Sequence, residues 1–143
     1  MVDIINKCVF TFKVRKYENI YAVCFTGFCN TTYKRSGYNN FIALTTFIGG
    51  AWSAGGKLKE SGYSHWLSPN SNATNETGFA ALPAGWITFN GLSNGLTVDG
   101  FWWTSTDFRD GFGREWQMTY NSRDAGRYSQ SEIMGFSVRS VRD

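Results

Sequence analysis

The chain has 143 residues, of which 42% are apolar and 17% are charged, and it carries a net charge of +3. This length suits one domain with a single core, and the apolar and aromatic content excludes a disordered chain. No run approaches the roughly 20 apolar residues of a membrane-spanning helix, and the charge is too small to indicate nucleic-acid binding by itself.

The first 40 residues differ in composition from the rest of the chain. They contain all three Cys, no Trp, and six basic against two acidic residues, whereas all six Trp follow residue 50. We expect this excess charge on the solvated faces of a strand pair, and a basic arm for an acidic partner is the alternative. The sequence therefore divides into a divergent N-terminal segment with two strands, residues 1–40, and a body, residues 41–143.

Apolar, aromatic and turn residues predict short strands and helices joined by long loops. Asn40 is expected to cap a short helix that Gly49 and Gly50 end, and a second helical turn is expected at residues 53–59. A long polar loop is expected at residues 61–78. Strands are expected at residues 8–14, 20–28, 79–82, 85–89, 101–105, 114–120 and 135–142.

The polar motifs favour structural roles over chemistry. Asn70, Asn72, Asn75 and Glu76 are interpreted as turns that brace a loop, because one carboxylate supplies little charge for the alternative, a calcium site. A single His and three Cys make a transition-metal site improbable, so we expect no metal and no cofactor. His65 lacks a nucleophile motif nearby and is expected to be structural.

Consecutive tryptophans at 102 and 103 lie in a predicted strand, so their side chains point to opposite faces. We expect one of them in the core, while the other is a candidate to stack on a sugar ring or a protein partner. Trp116 is expected in the core.

Five ordered blocks of the chain resemble the Fibrobacter succinogenes major paralogous domain over about residues 41–143. The blocks are LTTFIGG at 44–50, AGGKLKESG at 54–62, HWLSPNSNATNETGFAALPAG at 65–85, FWWTSTD at 101–107 and GFSVRSVRD at 135–143. The resemblance implies an α+β fold of the C-type lectin-like group: a small twisted antiparallel sheet, one or two short helices and long ordered loops. That group also contains the formylglycine-generating enzymes.

The function expected from this resemblance is non-catalytic binding or adhesion at a bacterial surface, with a protein or carbohydrate ligand. The first alternative is an enzyme of the formylglycine-generating type, whose chemistry needs C-terminal Cys residues, yet this chain has none after Cys29. The second alternative is a structural module or a truncated gene product. The resemblance suggests the cell envelope or exterior, although the first residues show no secretory signal pattern.

Three loops at residues 87–100, 107–113 and 121–132 are expected to gather on one face and hold the ligand, because recognition often lies in loops on a rigid scaffold. They offer aromatic and Arg side chains, the types that dominate interface energies. The candidate residues are Phe89, Phe108, Arg109, Phe112, Arg123, Arg127 and Tyr128. For the charges of this region we expect a solvated surface of mutual pairs, formed by Arg109, Arg114, Arg123 and Arg127 with Asp107, Asp110 and Asp124.

Overall fold

A computed structural model describes residues 9–11, 33–35 and 38–142 of the chain. Its elements in chain order are β1 (Val9–Thr11), β2 (Tyr33–Arg35), α1 (Tyr38–Phe47), α2 (Ala51–Leu58), β3 (Trp86–Ile87), β4 (Ser93–Asn94), β5 (Asp99–Arg109), β6 (Phe112–Thr119), β7 (Gly126–Ser131), β8 (Phe136–Val138) and β9 (Ser140–Arg142). Two short helices beside a small open sheet confirm the expected α+β class. Neither helix in these ranges is long and apolar enough to cross a membrane.

The main sheet has five strands in the order β1-β8-β5-β6-β7. Its neighbours are antiparallel except for β5 and β8, which run parallel, so the sheet is mixed and not purely antiparallel. Two smaller antiparallel pairs, β2 with β9 and β3 with β4, accompany it. Both N-terminal strands thus pair with the C-terminal part of the chain.

Helix α1 begins at Tyr38, three residues before Phe41, the first helical residue expected from a cap at Asn40. The Tyr38 backbone N–H donates to Oγ1 of Thr106 on β5, which satisfies one of the free N–H groups of the first turn. Asn40 therefore lies inside the helix and does not cap it. The predicted stop is confirmed, since Gly49 and Gly50 follow the helix with φ angles of 106° and 93°.

The larger core lies between the helices and one face of the main sheet, which we call the helix face. Phe41 of α1 stacks on Trp116 of β6 with ring centroids 5.2 Å apart, and Trp102 of β5 is buried beside them. Trp66 is buried in the same core and donates its indole N–H to the carbonyl oxygen of Ala81 at 2.8 Å. The expected core position of Trp116 is confirmed.

A smaller core covers the opposite face of the sheet, which we call the outer face. Trp103 is buried there and packs on Phe136 at a centroid distance of 4.5 Å. Trp102 and Trp103 thus point to opposite faces, as predicted, but both are buried. The alternative that one of them stacks on a sugar or a partner is wrong, because the sheet is covered on both sides at this point.

The strand predictions omit β2 and β4, join β8 and β9 into one strand, and are wrong at residues 126–131 and 79–82. Residues 126–131, predicted as part of a loop, form β7, whose sequence lacks an apolar alternation because it is an outer strand with exposed side chains. Residues 79–82, predicted as a strand, make only a single bridge between Ala81 and Lys59. The predicted strand at residues 20–28 lies outside the described residues.

Asparagines in left-handed backbone conformations brace the long loop, as the sequence predicts. Asn70 has a φ of 42° and Asn75 one of 52°. The Asn70 side-chain amide donates to the carbonyl oxygens of Glu60 and Gly62, and Oδ1 of Asn75 accepts from the backbone N–H of Ala80. Short polar side chains tolerate this conformation and satisfy the loop backbone.

Lys59 is a fully buried cation that fastens the end of β6 to α2. Its ammonium group donates to the carbonyl oxygens of Thr119 at 3.0 Å and Ser122 at 2.8 Å, and it lies 5.3 Å from the Trp66 ring centre. Burial lowers the pKa of Lys59 to about 8, because a desolvated ammonium is less stable than one in water.

Candidate functional site

The three loops predicted to form a site lie at two ends of the main sheet. The turn between β5 and β6 and the loop between β6 and β7 join opposite ends of β6. The hairpin of β3 and β4 lies at the same end of the sheet as the β6–β7 loop. At that end Gly85 forms a bridge with Gly100, and the Tyr120 N–H donates to the carbonyl oxygen of Val98. At about 3.4 Å per residue, β6 separates the two ends by about 25 Å. The three loops therefore do not share one face.

This topology separates the candidate residues by the end of the sheet at which they lie. Phe108, Arg109 and Phe112 lie around the turn between β5 and β6. Phe89 lies at the tip of the hairpin of β3 and β4, and Arg123 lies in the loop before β7. The last two residues are exposed, but they are too far from the first three to contact the same small ligand.

Arg127 and Tyr128 are neighbours on β7, so their side chains point to opposite faces of the sheet. Arg127 is paired with Trp116 and lies on the helix face, whereas Tyr128 is paired with Glu115 and lies on the outer face. Arg127 thus shares the helix face with the residues near the β5–β6 turn, and Tyr128 does not.

Arginine side chains stack on aromatic rings where β5 and β6 extend beyond the start of α1. The Arg109 guanidinium carbon lies 4.4 Å from the centre of the Phe112 ring. The Arg114 carbon lies 4.0 Å from the centre of the Phe108 ring and 5.2 Å from that of Tyr38. Each such contact is worth about 0.5–1 kcal/mol at an exposed site, and it holds a guanidinium in place.

Arg127 extends this array on the neighbouring strand, with its guanidinium carbon 5.7 Å from the centre of the Trp116 ring. Trp116 is buried beneath Arg127, and its ring centroid lies 6.3 Å from the ring centroid of Tyr38. We name the exposed and half-exposed residues of this array the arginine–aromatic surface. It consists of Tyr38, Phe108, Arg109, Phe112, Arg114 and Arg127.

The arginines of this surface form no ion pairs with carboxylates of the described residues. Among the described residues, Lys57 forms an ion pair with Glu76 and His65 contacts Glu60, and both contacts lie elsewhere. The predicted mutual pairing of arginines and aspartates is therefore not found. The guanidinium faces are taken up by rings, which leaves their N–H edges available to an acceptor from solution.

Arg114 and Tyr38 belong to the surface but are absent from the residues predicted for a ligand site. Arg114 lies in a strand, whereas the ligand site was predicted in loops, so Arg114 was not among the candidates. The alternation of Phe112, Arg114 and Trp116 along β6 places all three on one face, so this spacing could have revealed Arg114. Nothing in the sequence indicates Tyr38, since α1 is brought to this place by its packing on Trp116.

Glu115 lies on the outer face of β6 and is fully buried. Neither of its carboxyl oxygens has a hydrogen-bond partner in the described part of the chain. Burial raises the pKa of Glu115 to about 8, so the carboxyl group is largely protonated at neutral pH. Because solvent does not reach it, Glu115 is not part of the surface site, and its burial makes the stability of the chain depend on pH.

His65 forms a surface pair with Glu60, whose carboxylate oxygen lies 2.8 Å from Nδ1. Within the described ranges its hydrogen bonds go to Glu60 alone, and no hydroxyl or thiol group is positioned by it. A nucleophile activated by histidine requires such a contact. The contact of His65 that the structure shows is therefore the one with Glu60.

The described residues define a small α+β domain with buried aromatic cores on both faces of its sheet and an open cationic surface at one end. The chain matches the Fibrobacter succinogenes major domain over residues 16–142, and it belongs to that family. The match begins within residues 1–40 and so extends beyond the blocks that carry the resemblance in the sequence. No curated protein and no solved structure matches the chain.

Proposed function

We propose that this protein is a non-catalytic binding module that holds a protein or glycan ligand at its arginine–aromatic surface. The observation that supports this function best is the presence of three ring-stacked guanidinium groups, those of Arg109, Arg114 and Arg127, without a carboxylate partner among the described residues. The family resemblance to proteins of bacterial surfaces, and to the C-type lectin-like group, supports a binding role.

The chemistry of the surface favours an anionic ligand. Arginine presents a planar fork of donors that matches a carboxylate or sulfate, and a hydrogen bond to a charged group contributes about 1.5–3 kcal/mol. The rings restrict the guanidinium groups before binding, so less side-chain entropy is lost when a ligand arrives. The arginines of this surface bind anions through their N–H donors, and none of its six side chains is a carboxylate or an imidazole.

An array of neutral, acidic and sulfated glycans, printed with neutral, acidic and basic peptides, tests the proposal. We expect the labelled 143-residue chain to bind acidic members, and the variant Arg109→Gln/Arg114→Gln to bind them at least about tenfold more weakly. The matched control is Phe89→Ala/Arg123→Gln, which removes one ring and one charge at the other end of the sheet. Equal losses in both variants, or binding confined to neutral members, would contradict the proposal.

A further inference from the structure

Strand β7 is an outer strand of the main sheet, and its register decides which backbone groups face outward. The Glu132 N–H donates to the carbonyl oxygen of Gly111, in line with the β6–β7 pairing. Hydrogen-bonded pairs alternate in an antiparallel ladder, so even-numbered residues of β7 bond to β6. The N–H and C=O groups of Arg127, Ser129 and Ser131 therefore point away from the sheet.

The outward backbone groups of β7 are hydrogen bonded within the chain at both ends of the strand but not between those ends. Before β7, the Ala125 N–H donates to the carbonyl oxygen of Ala51 in α2 at 2.8 Å. After it, the Ser131 carbonyl accepts from the Met134 N–H at 3.1 Å. Between these points, within the described part of the chain, no protein group bonds to the outward N–H and C=O of residues 127 and 129.

This open stretch has the spacing that another strand requires. Donor and acceptor pairs two residues apart on a strand recur about every 6.8 Å, and an extended peptide presents complementary groups at the same interval. A glycan has no such alternating amide pattern. The backbone of β7 therefore favours a peptide segment over a carbohydrate.

The charge at this edge indicates the composition of such a peptide. Arg127 lies in the middle of the open stretch and points to the helix face, and its guanidinium has no carboxylate partner among the described residues. A residue directly opposite on an added strand would lie on the same face, with Cβ atoms about 4.5–5.5 Å apart. A carboxylate there would pair with Arg127, whereas a basic residue would be repelled. Arg114 on β6 adds positive charge on the same face.

We propose that β7 accepts an extended acidic segment of a protein partner as a sixth strand of the main sheet. The proposal rests on the proposed function, since Arg127 belongs to the arginine–aromatic surface, and it names the ligand class as protein. The segment carries Asp or Glu at alternate positions, so that the carboxylates lie on the helix face beside Arg127.

Fluorescence anisotropy with labelled synthetic peptides tests this inference on the 143-residue chain. The probe is a seven-residue peptide of alternating Thr and Glu, and the control is the same peptide with Lys in place of Glu. We expect saturable binding of the Glu peptide and at least about tenfold weaker binding of the Lys peptide. Two further probes carry N-methyl groups either on all Glu amides or on all Thr amides. Because only one set of amides faces β7, one probe should lose binding and the other keep it.

Two variants separate the backbone edge from the charge. Ser129→Pro removes an outward N–H without touching the ladder to β6, a position where an outer strand tolerates proline. This variant should bind the Glu peptide at least about tenfold more weakly than the wild type. Its thermal midpoint and far-ultraviolet circular dichroism should show that the variant folds. Arg127→Gln should weaken binding of the peptide similarly. The control Lys57→Gln removes one positive charge outside the arginine–aromatic surface and should stay within about twofold of the wild type.

The failure of this inference is distinguishable from the failure of the proposed function. Equal binding of the two N-methyl probes, or undiminished binding by a folded Ser129→Pro variant, overturns strand addition. Binding of polygalacturonate or another acidic polysaccharide that needs Arg109 and Arg114, without binding of the Glu peptide, also overturns it and leaves the proposed function standing. Absence of any acidic ligand overturns both.

Discussion

Replacing Glu115 by glutamine removes a carboxyl group that burial keeps protonated. The side chain is fully buried beside its cross-strand partners Trp103 and Tyr128, and neither carboxyl oxygen is hydrogen bonded in the described part of the chain. Burial raises the pKa from 4.5 to about 8. Between these values the folded chain keeps a proton that the unfolded chain releases, so the free energy of unfolding falls as the pH rises.

The size of this effect follows from the shift of the Glu115 pKa. One pH unit within the window corresponds to about 1.4 kcal/mol, so the wild type should lose about 3 kcal/mol of stability between pH 5 and pH 7. The stabilising contribution of the protonated group is complete below the unfolded pKa and is lost as the pH rises through about 8. Glutamine has a similar shape but does not ionise, so Glu115→Gln should be about 3 kcal/mol more stable than the wild type at pH 7 and within about 1 kcal/mol of it at pH 5.

Urea unfolding followed by Trp fluorescence at pH 5, 6 and 7 measures this difference. Lys59 is charged in both folded and unfolded chains over this range, so it does not add a slope. The control is Glu76→Gln, which removes a half-exposed carboxylate paired with Lys57 and should leave the pH dependence nearly unchanged. A difference between wild type and Glu115→Gln that stays constant from pH 5 to pH 7 would refute the reasoning.

Three further predictions concern the buried framework. Burial lowers the pKa of Lys59 from 10.5 to about 8, so above pH 8 the unfolded chain keeps a proton that the folded chain releases. Wild-type stability should therefore rise by about 2 kcal/mol between pH 8 and pH 10 relative to Lys59→Met in urea unfolding. A Cβ atom at Gly55 of α2 would overlap the backbone carbonyl of Asp124, so Gly55→Ala should destabilise by about 3 kcal/mol or more despite its better helix propensity. The control Ser53→Ala in the same helix should change the thermal midpoint little, and a stable Gly55→Ala variant would contradict the packing. Trp66→Phe removes the indole donor to the Ala81 carbonyl, which keeps its bond from the Glu60 N–H, and it also reduces the buried ring area. It should cost about 1–3 kcal/mol in chemical denaturation, whereas a loss below about 0.5 kcal/mol would show that the indole group contributes little.

Local signals in the sequence predicted much of the framework. Gly49 and Gly50 end α1, because left-handed backbone is inexpensive for glycine, and the same rule explains the asparagines of the long loop. The predicted position of Trp102 and Trp103 on opposite faces of a strand is confirmed, whereas the burial of both was not expected. The ordered blocks of the chain were specific enough to indicate the family that the match over residues 16–142 shows.

The sequence could not indicate which side chains meet on the surface, because that depends on strand pairing. Phe108 and Arg114 come together because β5 and β6 pair around a bulge, and Tyr38 joins them because α1 packs on the same face. Tyr128 and Arg127 lie in one predicted loop, yet β7 places them on opposite faces of a sheet.

Strand β7 shows most clearly what only the tertiary structure decided. Its sequence, GRYSQS, has no apolar alternation, because one of its edges and much of its side-chain surface face solvent, so no local burial pattern predicts it. It is a strand because the backbone of β6 offers a partner in register along its whole length. The residues of the chain thus determined where apolar side chains would be buried, while long-range backbone pairing determined which arginines and which backbone groups remain exposed together.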